Sequence, residues 1–581
     1  MMTHIKAFFT GIMDSGKNIN LSNKRKKLIL TVFASILLVS ALIGIVVGVK
    51  SRNSPTENLR VSAAHAVVKS SCSGTLYPEL CYSTITSHPE LTTKVKTQKD
   101  VIDLAVNITT TAVEHSYFRI KKLITSKGLT QRQTTALHDC LEMVSETLDE
   151  LHDVIKDLEE YQTKRSLRQH ADDLKTLMSS AITNQETCLD GFSHDGADKK
   201  VRKALEEIEE RVEKMCSNAL AMICNMTSTD LANEKRLNGR NLKEEHNNVW
   251  PEWLSTGDRR LLQSGTETPD VVVAADGSGD YETVEAAVAA APSKSKTRYV
   301  IRIKAGVYRE NVEVPKSKIN IMFMGDGRND TIITGNLSVK GGTTTFKSAT
   351  VAIVGDGFLA RGITFENTAG ASNHQAVALR VGSDFSAFYQ CDILAHQDTL
   401  YVHRNRQFYI NCLIAGTIDF IFGNAAAVFQ DCDIHARLPG PGQKNMLTAQ
   451  SRTDPNQNTG IVIQKCRIGA TSDLLPVQGS FPTYLGRPWK EYARTVVMQS
   501  VISSVIHEAG WHEWNGDFAL DTLYYGEYEN TGPGAETSGR VKWEGFRVIT
   551  SSSEAQEFSP ENFIAGGTWL SSTSFPFSLG L

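Results

Sequence analysis

Two aspartates and two glutamines in the second half of the chain recur at a similar spacing. Gln375 and Gln397 are 22 residues apart, and Asp398 and Asp419 are 21 apart. If each interval is one turn of a stacked coil, the four side chains are neighbours on one face, because stacked strands lie about 4.8 Å apart. Two carboxyl groups that close cannot both ionise cheaply, so one keeps its proton. A nucleophile and a general acid need that division, and amide N–H donors beside them stabilise an oxyanion.

Other chemistries leave signatures that this sequence lacks. It has no H-E-x-x-H pair, calcium loop or glycine-rich phosphate loop, so no metal or organic cofactor is expected. The absence of a G-x-S-x-G elbow argues against a serine esterase of the α/β-hydrolase type. A glycosidase uses two carboxylates without paired glutamines, and a lyase uses a basic group with metal-binding acids. Both stay open as alternatives. So does a non-enzyme that acts through a helical region as an esterase inhibitor.

The element that must position these residues is a sequence repeat. Phe388–Ile393 matches Tyr409–Ile414 and Phe429–Ile434, and more loosely Ile463–Ile468, with cysteines separated by 21, 20 and 34 residues. One short strand motif in each unit of this length is typical of a solenoid. Leucine-rich repeats have a similar period, but their Leu/Asn ladder is absent. The repeat predicts an all-β parallel β-helix for residues 266–581.

The chain has ten cysteines and no C-x-x-C zinc pattern, which favours disulfides in an oxidising compartment. Cys412 and Cys432 lie one period apart and are predicted to bridge adjacent coils. A Cys432–Cys466 bridge is the alternative.

The region before the repeat has a different pattern. Residues 65–225 predict an all-α helical bundle, because segments such as Thr134–Leu151 and Lys199–Ile223 place apolar residues three and four apart. The polar stretch 226–265 that follows is predicted to be a linker. It contains a dibasic sequence that is a candidate protease-processing site, since proteases reach flexible polar segments. That sequence is Arg259, Arg260, Leu261 and Leu262.

The N-terminus predicts the compartment. Residues 28–49 form an apolar run without charge after four basic residues, Lys24 to Lys27. A run of about 20 such residues spans a bilayer as a signal anchor or signal segment, and the basic flank places residues 1–27 in the cytoplasm. Everything after the span then enters the secretory pathway. Four sequons there could carry glycans: Asn107, Asn225, Asn329 and Asn336.

The charge balance gives little indication of a polyanionic partner. The chain carries 61 Lys and Arg residues against 65 Asp and Glu, a net charge of −4. No basic field for nucleic acid is present, so no nucleic-acid partner is expected.

Five motifs carry a resemblance to a known family. In chain order they are Gly306–Glu310 (GVYRE), Gln375–Arg380 (QAVALR), Gln397–Tyr401 (QDTLY), Gly416–Asn424 (GTIDFIFGN) and Leu485–Trp489 (LGRPW). With these motifs in order, residues 266–581 resemble the plant pectin methylesterases. The helical region resembles the inhibitor-type pro-domain that precedes many members. Its marks are the cysteines 72, 81, 140 and 188 and the sequence around the last two.

The resemblance implies a right-handed parallel β-helix that hydrolyses the methyl esters of pectin to pectate and methanol. Asp419 would be the nucleophile and Asp398 the general acid and then base. Gln397 and Gln375 would stabilise the oxyanion, and Arg487 would hold Asp419 ionised.

The resemblance also implies further contacts. Trp489 and Thr345 would contact the sugar. Pectin in the cell wall would be the substrate, and the precursor could be membrane-anchored through residues 28–49. A processing protease and a proteinaceous inhibitor would be further partners. The helical region would silence the enzyme until it is cut away, or only assist folding. The disulfide-bonded cysteines of the helical region would be Cys72, Cys81, Cys140 and Cys188.

One residue departs from the family pattern. The position before Gln397 is commonly Tyr, and here it is His396. The hypothesis is that this histidine gives the activity a pH dependence different from that of relatives.

Overall fold

The computed structural model describes residues 55–161, 166–193, 198–238 and 268–581. The predicted membrane-spanning segment 28–49 and the dibasic sequence at Arg259 lie outside these ranges. Within the ranges, the model has no helix that is both long enough and apolar enough to cross a bilayer.

The described residues between 55 and 238 are mostly helical. Three of the longer helices begin at capping boxes, at Thr97, Thr130 and Ser166. In each box the hydroxyl oxygen of the cap residue accepts a hydrogen bond from the backbone N–H three residues later. The backbone N–H of the cap residue donates to the side chain of that later residue. The last helix continues into the segment predicted as a linker. The helices are α1 Pro55–Cys72, α2 Pro78–Thr86, α3 Leu91–Lys94, α4 Gln98–Ile124, α5 Gln131–Glu160, α6 Leu167–Asp190 and α7 Lys199–Asn238. We call α4 to α7 (residues 98–238) the helical domain.

Two disulfides lie in this region. Cys72 is bonded to Cys81, and Cys140 to Cys188. The second bond joins α5 to α6, which also pack along their lengths. The prediction that these four cysteines are oxidised is confirmed.

Residues 268–581 form a parallel β-helix, as the repeat predicts; we call this part the β-helix domain. Its first strands are β1 Val271–Val273, β2 Tyr299–Ile303, β3 Gly306–Arg309, β4 Val312–Val314, β5 Ile321–Gly325, β6 Thr331–Gly335, β7 Val351–Ile353, β8 Leu359–Arg361, β9 Thr364–Asn367, β10 Leu379–Val381, β11 Ser386–Tyr389, β12 Asp392–Leu394 and β13 Leu400–Val402. The later strands are β14 Arg406–Ile410, β15 Leu413–Gly416, β16 Ile421–Gly423, β17 Ala426–Gln430, β18 Asp433–Ala436, β19 Asn445–Gln450, β20 Gly460–Gln464, β21 Arg467–Ala470, β22 Thr483–Gly486, β23 Arg494–Met498, β24 Val501–Ile502, β25 Tyr524–Tyr528 and β26 Phe546–Val548. Short helices α8 Val284–Ala290, α9 Ser552–Gln556 and α10 Pro560–Phe563 lie before and after the coils.

Each complete coil contributes one strand to each of three sheets, and the coils at the ends contribute fewer. The first sheet has eleven strands, the second has seven in the order β22-β19-β16-β13-β10-β7-β4, and the third has eight. Neighbouring strands of the second sheet are parallel and in register, with Leu400 opposite Ile421. A residue and the one about a period later therefore occupy equivalent positions in adjacent coils.

The interior of the coil is apolar and stacked. The rings of Phe388, Tyr409 and Phe429 lie face to face at centroid distances of 4.8 and 4.6 Å. The same interior holds the four repeat cysteines as fully buried free thiols. They are Cys391, Cys412, Cys432 and Cys466.

The predicted Cys412–Cys432 disulfide is therefore wrong, and so is the Cys432–Cys466 alternative. Cys412 Sγ lies 3.4 Å from the Phe388 carbonyl oxygen, and Cys432 Sγ lies 3.5 Å from that of Tyr409. Parallel in-register side chains keep their Cβ atoms about 4.8 Å apart, whereas a disulfide requires about 3.5–4.5 Å. Two cysteines one period apart therefore lie above each other in adjacent coils, too far apart to form a disulfide.

Candidate active site

The two aspartates occupy equivalent positions in adjacent coils. Asp398 lies two residues before β13 and Asp419 two residues before β16, and these strands pair in register. Both adopt left-handed backbone conformations, with φ of 62° and 52°, which Asp tolerates better than most residues. Their exposed fractions are 8% and 6%. The fold thus places two buried carboxyl groups side by side, as the 21-residue spacing predicts.

The turn before Asp419 depends on a glycine. A Cβ added at Gly416 would collide with the side chains of Phe420 and Thr399. Only glycine allows the coil to pass that close to its neighbour, so this residue fixes the backbone that carries the carboxylate.

Arg487 distinguishes the two carboxyl groups. It follows β22, and its Nε and Nη2 donate to Asp419 Oδ1 and Oδ2 at 2.8 and 2.6 Å. Its guanidinium also lies over the Trp514 ring, 4.3 Å from the centroid. A bidentate pair of this kind is among the stronger charge-assisted contacts. Both oxygens of Asp419 act as acceptors, as they do in an ionised carboxylate.

Asp398 has the opposite environment. Burial, followed by the neighbouring Asp419 charge, raises the pKa of Asp398 well above its usual range, and Arg487 only partly opposes this. The surroundings of Asp398 therefore favour its neutral, protonated form. The two carboxyl groups differ in that one is paired with a guanidinium and the other is not.

The glutamines lie beside this pair, although their 22-residue spacing exceeds by one the interval between the paired residues Leu379 and Leu400. One extra residue is accommodated just before β10, where the backbone N–H groups of Ala378 and Leu379 both donate to the Thr399 carbonyl. The Ala376 amide then donates to the Gln397 carbonyl at 3.1 Å, which places Gln375 opposite Gln397.

All seven predicted catalytic and substrate-contacting residues line one cavity. Its volume is about 640 Å³. The residues are Thr345, Gln375, Gln397, Asp398, Asp419, Arg487 and Trp489.

The cavity has an aromatic wall that sequence reasoning largely missed. Tyr401 and Phe422 stack at 4.4 Å, Trp489 lies 6.0 Å from Phe422, and Trp514 lies 6.5 Å from Trp489. Tyr401 and Phe422 face each other in register, and their spacing equals that of Asp398 and Asp419. That shared spacing was the available signal. Such faces suit a sugar ring, which has apolar C–H surfaces and polar edges.

The helical domain supplies another part of the wall, through residues that nothing in the sequence singled out. Asp139 of α5 accepts from Thr344 Oγ1 at 2.6 Å, and Thr187 of α6 lies 2.9 Å from His403 Nε2. Asp139, Thr187 and Asp190 all line the cavity. Burial raises the pKa of Asp139 to about 6. The helical domain therefore covers the carboxyl pair.

His396 is not positioned to titrate near neutral pH. Burial and the nearby Arg437 guanidinium lower the pKa of His396 to about 4. Its carbonyl accepts from Thr417 N and Thr399 Oγ1, so its backbone supports the turn.

No metal centre is evident in the described ranges. They contain no group of three or more His, Cys, Asp or Glu side chains arranged to hold an ion.

Comparison with known proteins adds independent evidence. Residues 270–567 match the family model described as Pectinesterase, and residues 66–222 match that of the Plant invertase/pectin methylesterase inhibitor. "Pectinesterase/pectinesterase inhibitor U1" of Solanum lycopersicum is 68% identical over 590 residues, covering 100% of both chains. "Pectinesterase 1" of Citrus sinensis is also 68% identical, over 585 residues and 100% of both chains.

A solved structure matches the β-helix domain. It is titled "Pectin methylesterase from Carrot", is 77% identical, and has a TM-score of 0.54. The match covers 55% of this chain and 100% of the carrot chain. The carrot chain thus corresponds to the β-helix domain alone, so in that relative this domain is stable as a separate chain.

Proposed function

The chain belongs to the pectinesterase family and is a pectin methylesterase, and we propose that Asp419 and Asp398 divide the chemistry between them. One observation supports this division above the others. Arg487 bonds to Asp419 through two N–H groups, while burial and the neighbouring Asp419 charge raise the pKa of Asp398 and so favour its protonated form. An ionised carboxylate and a carboxylic acid in adjacent coils are what a nucleophile and a general acid require.

The reaction proceeds in two halves. An Asp419 oxygen attacks the ester carbonyl carbon, and the tetrahedral intermediate collapses with loss of methanol, whose oxygen takes the Asp398 proton. The galacturonate acyl group is now an anhydride with Asp419. Asp398, now a carboxylate, takes a proton from water as the water oxygen attacks the acyl carbon. Collapse releases the galacturonic acid unit, restores the Asp419 carboxylate, and leaves the proton from water on Asp398. The released acid loses its own proton to the solvent and becomes pectate.

The glutamines act on the charge that develops on the carbonyl oxygen. Their amide groups line the cavity beside the two carboxyl groups, and one pre-positioned donor contributes about 3–4 kcal/mol to such an intermediate. Thr345 and Trp489 line the same cavity and would contact the sugar. These residues would position the ester and the sugar, while the pairing with Arg487 holds the attacking oxygens of Asp419 in place.

Methanol release from methyl-esterified pectin tests the assignment. We expect Asp419→Ala in the β-helix domain to abolish release while the protein remains folded. Asp431→Asn is the matched control, because Asp431 shares the left-handed conformation and does not line the cavity. A folded Asp419→Ala variant with normal turnover would overturn the nucleophile assignment.

We also propose that the helical domain silences the enzyme until the linker is cut. The support is that this domain walls the cavity through Asp139, Thr187 and Asp190. An Arg259→Ser/Arg260→Ser variant should be exported intact and release little methanol, and protease treatment elsewhere in 226–265 should restore activity. An intact, fully active variant would contradict silencing and leave a folding role.

The compartment is part of the same proposal. All four sequon asparagines in the described residues are exposed, as glycan acceptors must be, and they are Asn107, Asn225, Asn329 and Asn336. Plant relatives named pectinesterase support secretion to the cell wall. Mass spectrometry of the secreted protein would detect the glycans.

A further inference from the structure

Lys490 follows Trp489 and lines the same cavity as Asp398 and Asp419. Its ammonium group bonds to Glu186 Oε2 at 2.5 Å and to Asp190 Oδ1 at 2.9 Å. Both acids belong to α6 of the helical domain, and the lysine side chain is 17% exposed. A cation beside the catalytic pair is therefore neutralised by carboxylates from another domain.

Two other cations of the β-helix domain that bond to the helical domain keep an acid of their own. Arg404 does not, since its partners Glu146 and Glu150 are both helical, but it lies outside the cavity. Lys347 bonds to Glu142 at 2.7 Å and also lies 3.7 Å from Glu313 in the β-helix domain. Arg406 likewise keeps Asp384 at 2.6 Å. For Lys490, the recorded carboxylate partners both leave with the helical domain. Removal of that domain then leaves an ammonium group in the open cleft without them.

Pectin offers a replacement for those carboxylates. Each galacturonate unit carries either a methyl ester, which is neutral, or a free carboxylate. We propose that Lys490 binds the free carboxylate of a sugar next to the one whose ester is cleaved. Glu186 and Asp190 then imitate that carboxylate in the covered state. This inference rests on the proposed function, because it presupposes that the cavity holds the pectin chain.

The consequence is a preference for partly de-esterified pectin. Each turnover creates a carboxylate, and a cation that binds it favours attack on the neighbouring ester. A cleft with this preference extends an existing block of free acids along the chain. The aromatic wall, by contrast, contacts sugar rings whether or not they are esterified.

The test compares Lys490→Gln with the unchanged β-helix domain on highly methylated and on partly de-esterified pectin. We expect KM for the partly de-esterified substrate to rise about fivefold, which corresponds to the loss of a modest ion pair. We expect little change in kcat, and little change in KM for the highly methylated substrate. Fully de-esterified pectate should also inhibit the variant less. Added salt should reduce the difference. Lys347→Gln is the matched control, and Lys490→Arg should restore the preference.

The outcomes separate the two proposals. If the unchanged domain releases no methanol, the proposed function fails. If it is active and Lys490→Gln raises KM equally on both substrates, or changes neither, the carboxylate subsite is refuted. A fall in kcat on both substrates likewise refutes it, because it assigns Lys490 to holding the Trp489 loop. Thermal unfolding of each variant identifies a folding defect. If Lys490→Gln has one, Lys490→Arg provides the test: the proposal requires that this variant keep the preference for partly de-esterified pectin.

Discussion

Burial of Asp398 favours the protonated form that its proposed role as a proton donor requires, but it also makes ionisation of this residue costly. Its pKa is raised well above the ordinary value of 3.8. Between that ordinary value and the raised one, the folded protein holds a proton that the unfolded chain has lost. The free energy of unfolding therefore falls as pH rises through this window. The catalytic state of this residue costs stability at neutral pH.

Replacing the acid by its neutral isostere should separate activity from stability. We expect Asp398→Asn to lose methanol release by about a hundredfold or more while gaining thermal stability. The gain should be small near pH 4 and larger near pH 7, because only the wild-type carboxyl group resists ionisation. Thermal melts at both pH values measure this. Equal gains at the two pH values would show that Asp398 is not held protonated by the fold.

The fold removes His396 from the working pH range. Because the pKa of His396 is about 4, His396→Tyr should leave the pH profile of methanol release unchanged above about pH 5. A shifted profile in that range would mean that the imidazole titrates where the catalytic pair does. The sequence hypothesis rested on its position two residues before Asp398. The sequence does not show that His396 is buried or that Arg437 lies near it, and these two features lower the pKa of the imidazole.

At the scale of elements, the coil period predicted much of the site. Parallel in-register stacking turns a sequence interval into a spatial neighbourhood, so Asp398 and Asp419 were found from spacing alone. The spacing of Gln375 and Gln397 is one residue longer than the interval that pairs β10 with β13, and an extra residue before β10 absorbs the difference. Only the observed hydrogen bonds show how the chain does this.

The same stacking explains why the cysteine prediction failed and yields a test. We expect the β-helix domain to contain four free thiols that react with a thiol reagent only after denaturation, because all four are buried in the coil. Reductant should not change its melting temperature. The full chain should behave differently, since Cys140–Cys188 joins α5 to α6. Fewer than four thiols in the denatured β-helix domain would mean that adjacent coils are bridged after all.

At the scale of the whole molecule, the contacts over the cavity had no sequence signal. Arg404 is 2% exposed and bonds to Glu146 at 2.8 Å and to Glu150. The partners are distant in the chain, follow no common period, and meet only because two separately predictable folds dock. Both domains could be predicted from pattern. Their interface could not, and it is there that regulation is proposed.

Docking of the helical domain should respond to pH through Asp139. Burial raises its pKa from 3.8 to about 6, although the hydrogen bond from Thr344 opposes the rise. The docked state therefore binds a proton that the separated domain, with an exposed Asp139, does not. Docking is favoured most below about pH 4, weakens as the pH rises to about 6, and changes little above that value. Lys347 partly offsets the cost of the ionised form.

The measurement is methanol release by the intact chain divided by release from the β-helix domain at the same pH, which removes the pH dependence of catalysis itself. We expect this ratio to rise between about pH 4 and pH 6, by at most about tenfold per pH unit for one proton. Asp139→Asn should flatten the rise, because an amide cannot ionise. Asp149→Asn, on the same helix but 54% exposed, should leave the rise intact. A rise that persists unchanged in Asp139→Asn would assign the pH response to the other buried acids of the interface, Glu146 and Glu150, whose pKa values burial also raises.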